Sequence, residues 1–139
     1  MIVRSLDEIK GTARDVSGPG WGSRRVILRE DAMGCSVHDT IVREGAELHL
    51  RYKYHLETNY CIAGEGEVVD VATGNTHAIH PGIVYALDRH DEHIVRALKG
   101  DLRLVCVFTP ALTGTETHDA DGGYGLTDET AVRSPESAP

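Results

Sequence analysis

The sequence predicts an all-β fold, in which about eight short strands form an antiparallel sandwich or barrel. Short runs rich in β-branched and aromatic residues recur along the chain, and Gly, Pro or Asp separates one run from the next. No apolar period of about 3.6 residues is sustained anywhere, which argues against a helical bundle.

The elements are predicted one by one from this punctuation. Ser5 and Glu8 have the spacing of a capping box and favour a short helical turn near the N-terminus. The Gly-rich stretch 64–66 is interpreted as a turn, and the Gly/Pro stretch 17–23, which carries Trp21, as a loop. The predicted strands are 25–28, 36–42, 46–52, 59–62, 67–71, 83–86, 94–97 and 102–108.

One domain accounts for most of the chain. A protein of 139 residues is long enough for a single core, and a second independent domain is not expected. We expect this domain to span residues 1–124 and residues 125–139 to form a flexible or disordered tail, because the chain beyond Thr113 is rich in polar residues and Gly. In that polar stretch, composition alone favours solvated positions for Glu116 and His118 over a lid across the barrel mouth.

Charge and cysteine content exclude several classes of function. The formal net charge is -8, from 22 acidic and 14 basic residues, so a nucleic-acid-binding surface is not expected. The three cysteines lack a CxxC spacing and the density of a disulfide scaffold, which fits a reducing cytoplasm. No apolar run approaches the roughly 18 residues of a membrane span, and the N-terminus has no signal-peptide pattern. We therefore expect a cytoplasmic protein without nucleic-acid or membrane partners.

Two separate motifs carry the candidate chemistry. Glu57 precedes an apolar strand and Gly64, and the corner Pro81-Gly82 precedes Tyr85 in the next apolar run. This arrangement resembles the paired motifs of a cupin barrel, which in most cupins supply three His and one Glu to a metal. Here the usual His-x-His pair is absent, and Tyr85 stands where the last His would be.

Glu57, Tyr85 and His93 are the candidate metal ligands. Adjacent antiparallel strands can bring them together, and a carboxylate, a phenol and an imidazole suit a borderline divalent ion such as iron. A phenol has a pKa of about 10, so the ion must lower this pKa or accept a neutral ligand. The missing His pair equally fits a cupin that has lost its metal. Surface or hydrogen-bonded core positions are expected for five other histidines: His38, His49, His77, His80 and His90.

Short identities in a fixed order identify a family. On these identities the chain, from its N-terminus to about Tyr124, resembles the ectoine synthase family, whose members are cytoplasmic cupins. The resemblance implies an all-β, single-domain cupin barrel. The pieces that carry it include Gly18-Pro-Gly-Trp21, His38-Asp-Thr40, Tyr60-Cys-Ile62, Gly64-Glu-Gly-Glu67, Tyr85-Ala-Leu-Asp88 and Leu102-Arg-Leu-Val-Cys-Val-Phe108.

The resemblance also implies a reaction and a site. The substrate would be N-γ-acetyl-L-2,4-diaminobutyrate, which the family converts by an intramolecular cyclising dehydration to ectoine, a compatible solute. Fe(II) would be held by Glu57, Tyr85 and His93, Tyr52 is our candidate for proton transfer, and the protein would be a homodimer. The family's substrate pocket corresponds to Trp21, Ser23, Thr40, Cys106 and Phe108. Weaker candidates for proton transfer are His55, Glu116 and His118.

Two other classes of function remain open at the level of sequence. A metal-free ligand-binding or regulatory cupin would keep the pocket, and the missing His-x-His pair favours it. A cupin sugar epimerase or isomerase would need a His base beside an acid, together with basic residues for a nucleotide diphosphate. The acidic charge balance argues against this last class.

Overall fold

The computed structural model describes residues 1–120 and 122–125, and within them the chain is almost entirely β-structure. The all-β prediction is confirmed. One short helix, α1 (Leu6–Ile9), and one 3-10 turn (Arg29–Asp31) accompany the strands. The strands are β1 (Asp15–Gly18), β2 (Trp21–Ile27), β3 (Ser36–Val42), β4 (Glu47–Leu50), β5 (Leu56–Asp70), β6 (Thr76–Ile79), β7 (Val84–Leu87) and β8 (His93–Thr109).

Strands β5 and β8 are long enough to belong to both walls of a barrel. They pair with each other along their whole length. The C-terminal half of β8, residues 102–108, also pairs with β3, whereas its N-terminal end, residues 93–96, pairs with β4. Likewise β5 pairs with β7 at its start and with β6 near its end. One wall therefore has the order β1-β2-β3-β8-β5-β7, and the other has the order β4-β8-β5-β6.

A bend in the β5–β8 pair separates the two walls. The register shifts three times between Cys61 and Gly66, which marks β-bulges. Gly64 has φ +83, and a Cβ on it would overlap the backbone carbonyl of Asp101. The prediction of a turn at 64–66 was therefore wrong: these residues lie inside β5, and the four strands predicted at 59–62, 67–71, 94–97 and 102–108 merge into two.

Other local predictions have mixed outcomes. The capped turn at Ser5 is confirmed, since Ser5 Oγ accepts a hydrogen bond from Glu8 N at 3.3 Å and the Glu8 carboxylate accepts one from Ser5 N at 3.4 Å. The stretch 17–23 is not an open loop: Trp21 begins β2, which forms a hairpin with β1. Strand β6 was not predicted, because its segment has little apolar content beyond Ile79.

The core lies between the two walls. It combines inward residues of both, such as Val68 and Val95 from one wall and Leu104 and Phe108 from the other. In β5 exposed and buried side chains alternate from Leu56 to Ile62, which places Glu57, Asn59 and Cys61 on the core side. Among the described residues, no helix is long and apolar enough to cross a membrane.

Replacing Gly66 by Ala is expected to destabilise the fold by about 3 kcal/mol, because the new Cβ would overlap the Arg96 carbonyl and force the paired strands apart. Urea unfolding followed by circular dichroism measures this loss. Gly22→Ala is the matched control: Gly22 also lies in a strand without positive φ, but no atom lies within 4 Å of its Cβ position. An equal loss in both variants would contradict the role assigned to the bend.

Candidate active site

A row of polar side chains crosses the inner face of one wall. Tyr85 on β7 lies opposite Asn59 on β5, Asn59 lies opposite Cys106 on β8, and Cys106 lies opposite His38 on β3. His38 in turn faces Arg25 on β2. All except Tyr85, which is half-buried, are almost fully buried. Polar groups are rarely buried in such a line without a purpose, so this row marks the site.

A small cavity opens along this row. Its volume is about 30 Å³, which is the space of one water molecule, so a diamino acid enters only if wall residues move. The site residues predicted from sequence contribute Trp21, Thr40, Tyr52, Glu57, Tyr85, Cys106, Phe108 and His118 to its lining.

The predicted metal ligands approach one another at the edge of the cavity. Glu57 Oε1 lies 4.0 Å from His93 Nε2, and both side chains are buried. Tyr85 lines both the cavity and an open groove, which runs between β6 and β7 and reaches His93. Glu57 points inward and Tyr85 lies on the face opposite Val84 and Ala86, as the alternation predicted.

His93 has one free nitrogen. Its Nδ1 donates to the Asp91 carbonyl at 2.8 Å, since a carbonyl can only accept. The neutral ring therefore directs the lone pair of Nε2 inward, and this atom has no hydrogen-bond partner. A metal-binding His has this arrangement, with one nitrogen held by a backbone carbonyl and the other available to the metal.

Burial controls the charge of the candidate ligands. It raises the pKa of Glu57 to about 7, although Asn59 and Cys106 act in the opposite direction. Burial and the nearby Glu57 raise the pKa of Tyr85 well above its usual value. Burial lowers the pKa of His93, which keeps its ring neutral. A cation between them would reverse the first two shifts by favouring the carboxylate and the phenolate.

The donor set fits a single divalent ion. Two ligands that each lie about 2.0–2.2 Å from one ion are at most roughly 4.4 Å apart, and the Glu57 to His93 distance of 4.0 Å satisfies this limit. The described residues contain no group of three or more His, Cys, Asp and Glu that could hold a metal. A site with three protein ligands at this position therefore requires the Tyr85 phenol as the third ligand.

The predicted substrate residues have different surroundings. Ser23 does not line the cavity: its hydroxyl contacts His38 Nδ1 at 3.0 Å and accepts from Arg25 Nε at 3.2 Å. Cys106 donates its thiol to Asn59 Oδ1 at 2.7 Å. Burial raises the pKa of Cys106 well above its usual value, so its thiol stays protonated and is not a nucleophile. Thr40 is half-buried and lines the cavity.

The C-terminal strap, which comprises residues 112–120 and 122–124, covers the cavity. Composition favoured solvated positions for Glu116 and His118, and the structure contradicts this for both: Glu116 is buried, and half-buried His118 lines the cavity with Tyr124. The predicted flexible tail comprises residues 125–139, and Gly125 is the one residue of it that the structure describes. The prediction for the rest of the tail lies outside the described residues.

Arg25 anchors the strap to strand β2. Its guanidinium, fully buried, donates to the carbonyls of Gly114 at 2.9 Å and Glu116 at 2.6 Å and lies 5.5 Å from the ring centre of Tyr124. The Glu116 carboxylate accepts from Gly114 N and from both Thr113 N and Thr113 Oγ1. Burial disfavours the charge on Glu116, but these hydrogen bonds prevail and lower its pKa.

Tyr52 and His118 meet where the strap crosses the cavity. Tyr52 OH lies 2.7 Å from His118 Nε2. Burial raises the pKa of Tyr52 well above its usual value, and burial together with the Arg25 cation lowers the pKa of His118 to about 4. Both groups are thus neutral at pH 7. His55 is away from the cavity, and its Nδ1 donates to the Pro110 carbonyl at 2.9 Å, just before the strap.

The strap is expected to open as the pH falls from about 6.5 to about 4. In the open or unfolded chain His118 takes a proton near pH 6.5, whereas in the closed strap it resists protonation until about pH 4. The stability that the neutral ring contributes is therefore complete above pH 6.5 and is lost across this window, by about 2 kcal/mol after solvent screening.

Fluorescence of Trp21, the only Trp in the chain, reports this opening because its ring centre lies 4.5 Å from that of His118. His118→Gln does not titrate and should flatten the transition. An identical pH profile in the variant would refute the assignment to His118.

Comparison with known proteins identifies the fold class first. The cupin domain of Cnp3 from Schizosaccharomyces pombe matches with a TM-score of 0.57 at 15% identity, over 68% of this chain and 69% of that one. At this identity the likeness concerns the fold alone. The chain is a cupin barrel, as the motif around Glu57 predicted.

Closer relatives specify the family. A family model for ectoine synthase matches residues 1–128. L-ectoine synthase of Desulfosudis oleivorans is 53% identical over 129 residues, which cover 93% of this chain and 100% of that protein. The crystal structure of ectoine synthase from P. lautus matches with a TM-score of 0.81 at 46% identity, over 92% of this chain and 94% of that one. The chain belongs to the ectoine synthase family and is an enzyme, a carbon-oxygen hydro-lyase.

Three residues of the site were not predicted. Arg25 and Tyr124 contribute to it through contacts between segments far apart in sequence. Asn59 had a local signal: it stands two residues after Glu57, so it shares the inward face of the same strand. A polar residue on an inward face was the observation that could have found it.

Proposed function

We propose that the protein catalyses the intramolecular cyclising dehydration of N-γ-acetyl-L-2,4-diaminobutyrate to ectoine, a compatible solute that protects cells under osmotic stress. Fe(II) would be held by Glu57, Tyr85 and His93. The observation that supports this ligand set is the unpartnered Nε2 of His93, which lies 4.0 Å from Glu57 at the edge of an aromatic-walled cavity. Membership of the ectoine synthase family favours this enzyme over a metal-free binding cupin or a sugar epimerase.

The reaction makes clear demands on the site. The α-amine of the substrate attacks its own acetamide carbonyl and closes a six-membered ring, and the carbonyl oxygen then leaves as water to give a cyclic amidine. The amine must lose a proton before it attacks, and the oxygen must gain protons before it leaves. Holding the chain in a ring-closing conformation can lower the barrier by about 7–11 kcal/mol. The pocket therefore needs to fold the substrate and exclude water more than it needs a strong nucleophile.

The residues of the cavity answer these demands. Trp21 and Phe108 form apolar walls that press the substrate into a folded shape, and Thr40 offers a hydroxyl to its carboxylate. Tyr52 can take a proton from the amine as its own hydroxyl proton passes to His118 Nε2, 2.7 Å away, and the reverse transfer returns a proton to the departing oxygen. When bound, Fe(II) would supply Lewis acidity toward the carbonyl oxygen, an effect worth several kcal/mol.

Arg25 supports the binding of the substrate's carboxylate. Its three hydrogen-bond partners are a hydroxyl and two carbonyls, so none of them cancels its positive charge. A buried cation beside the cavity attracts the substrate carboxylate more strongly than one in water would, because the local dielectric constant is low. The strap then closes over the bound molecule.

Metal analysis and a product assay on the same preparation test this function. Protein purified without oxygen is expected to contain iron and to convert the acetylated diamino acid to a cyclic product. Removal of the iron by a chelator should abolish turnover, and added Fe²⁺ should restore it. A protein that neither depends on iron nor forms the cyclic product would overturn the proposal.

The enzyme is further proposed to act as a homodimer in the cytoplasm. All three cysteines, Cys35, Cys61 and Cys106, are free thiols, which suits a reducing compartment. The outer face of β5 and β7 exposes apolar side chains, among them Tyr60 at 48% and its cross-strand partner Val84 at 60%. Such a face suits contact with a second copy.

Sedimentation analysis is expected to give twice the 15.1 kDa chain mass. Val84→Lys should give the monomer mass, because it places a charge in the middle of the apolar face. A monomeric unchanged protein would refute the dimer, and a dimeric Val84→Lys variant would place the contact elsewhere.

A further inference from the structure

Asn59 has a position in the site that the reaction described above does not use. It lies two residues after Glu57 on the inner face of β5, directly opposite Tyr85 on one neighbouring strand and Cys106 on the other. Its side chain is 1% exposed and lines the cavity. A carboxamide is therefore buried between two of the three proposed metal ligands.

Cys106 fixes the orientation of this carboxamide. The thiol donates to Asn59 Oδ1 at 2.7 Å, within the fully buried interior. A thiol is a donor and only a weak acceptor, so it selects the carbonyl end of the amide. The NH₂ end must then point away from β8. Cys106 thus determines the direction in which Asn59 can donate.

The NH₂ group has no hydrogen-bond partner, although it is buried. Native proteins rarely leave a buried donor in this state, and an exception needs a functional explanation. Glu57 lies two residues away on the same inward face of β5 and lines the same cavity, so its carboxylate is an acceptor within reach of this group.

We propose that Asn59 is a positioning residue of the metal site: its amide, oriented by the Cys106 thiol, donates to the Glu57 carboxylate and holds this ligand toward the metal. The inference rests on the metal site of the proposed function. Carboxylate ligands are generally hydrogen-bonded by neighbouring groups, and the loss of such a group weakens metal binding by about 10- to 100-fold. No prediction from the sequence assigned a role to Asn59.

Co²⁺ binding to the metal-free protein tests this role without any measurement of turnover. The dissociation constant is measured by competition with a coloured chelator, and the visible absorption of bound Co²⁺ reports the ligand geometry. Asn59→Leu has a similar size but no donor, and we expect it to bind Co²⁺ at least about tenfold more weakly and with a shifted spectrum. Asn59→Val, favoured in strands, replaces it if the Leu variant does not fold.

Two further variants separate the possible outcomes. Thr58→Val is the matched control, because Thr58 is the adjacent residue on the outer face of β5 and should bind Co²⁺ as the unchanged protein does. Glu57→Gln should lose Co²⁺ binding. If Glu57→Gln loses Co²⁺ while the Asn59 variant keeps both affinity and spectrum, only the inference about Asn59 is overturned. If Glu57→Gln binds as tightly as the unchanged protein, the proposed metal site is overturned with it.

Discussion

Glu57→Ala and Tyr85→Phe are each expected to lose bound iron and product formation together. Both variants remove a proposed oxygen ligand, and Tyr85→Phe removes nothing else, so its packing in the wall is retained. A Lewis acid worth several kcal/mol corresponds to a fall in rate of about a thousandfold or more. Iron content by mass spectrometry and product by chromatography measure the two losses. Retained iron in both variants would show that the ligands are misassigned.

The same site predicts how iron binding depends on pH. A proton and the metal compete for the Glu57 carboxylate, whose pKa burial raises to about 7. Iron affinity is therefore expected to fall about tenfold for each pH unit below 7 and to change little with Glu57 above it. Titration of the metal-free protein with Fe²⁺ at several pH values gives this slope. A flat profile between pH 5 and 7 would contradict the burial of this ligand.

Arg25→Met is expected to release the strap and to lower kcat/KM by about two orders of magnitude. The substitution removes charged hydrogen bonds to the carbonyls of Gly114 and Glu116, each worth roughly 1.5–3 kcal/mol. A combined loss of about 3 kcal/mol or more shifts the closed-to-open equilibrium more than a hundredfold. Limited proteolysis followed by mass spectrometry should show rapid cleavage after Leu112.

Arg24→Met provides the matched control for Arg25. Arg24 is the preceding residue of β2, but it pairs with Asp39 at 2.7 Å and does not contact the strap. This variant should lose at most about 1 kcal/mol of stability, as partly exposed ion pairs do, and its strap should stay protected. Equal protease resistance in the Arg24 and Arg25 variants would refute the anchoring role.

Local patterns predicted the parts of the fold that local forces determine. The strand at Ser36–Val42 was predicted with its observed bounds, because its β-branched residues favour a strand in any sheet. The inward orientation of Glu57 and Tyr85 was predicted because each follows a short-range spacing within its own motif. The cap at Ser5 likewise depends only on residues three apart.

Local sequence patterns could not predict features that depend on residues far apart in the sequence. Gly64 and Gly66 give the same local signal in a turn and in a bulge, and only the paired backbone of β8 makes them bulges. Glu116 lies in a polar stretch, and its burial depends on Arg25, which is 91 residues away. The contact of the Ser23 hydroxyl with His38, 15 residues away on β3, likewise depends on strand pairing and could not be predicted from local spacing.

If Glu57 and His93 hold iron as proposed, the bend in β5 and β8 makes the iron affinity depend on the curvature of the barrel. Glu57 lies near the start of β5, whereas His93 pairs with Asp70 at its end. Thirteen residues of straight strand would hold these ligands about 40 Å apart, yet their atoms are 4.0 Å apart. The pair must therefore fold back on itself before the two ligands can share one ion. A substitution that straightens the bulges is therefore expected to weaken metal binding at the proposed site while leaving every proposed ligand unchanged in sequence.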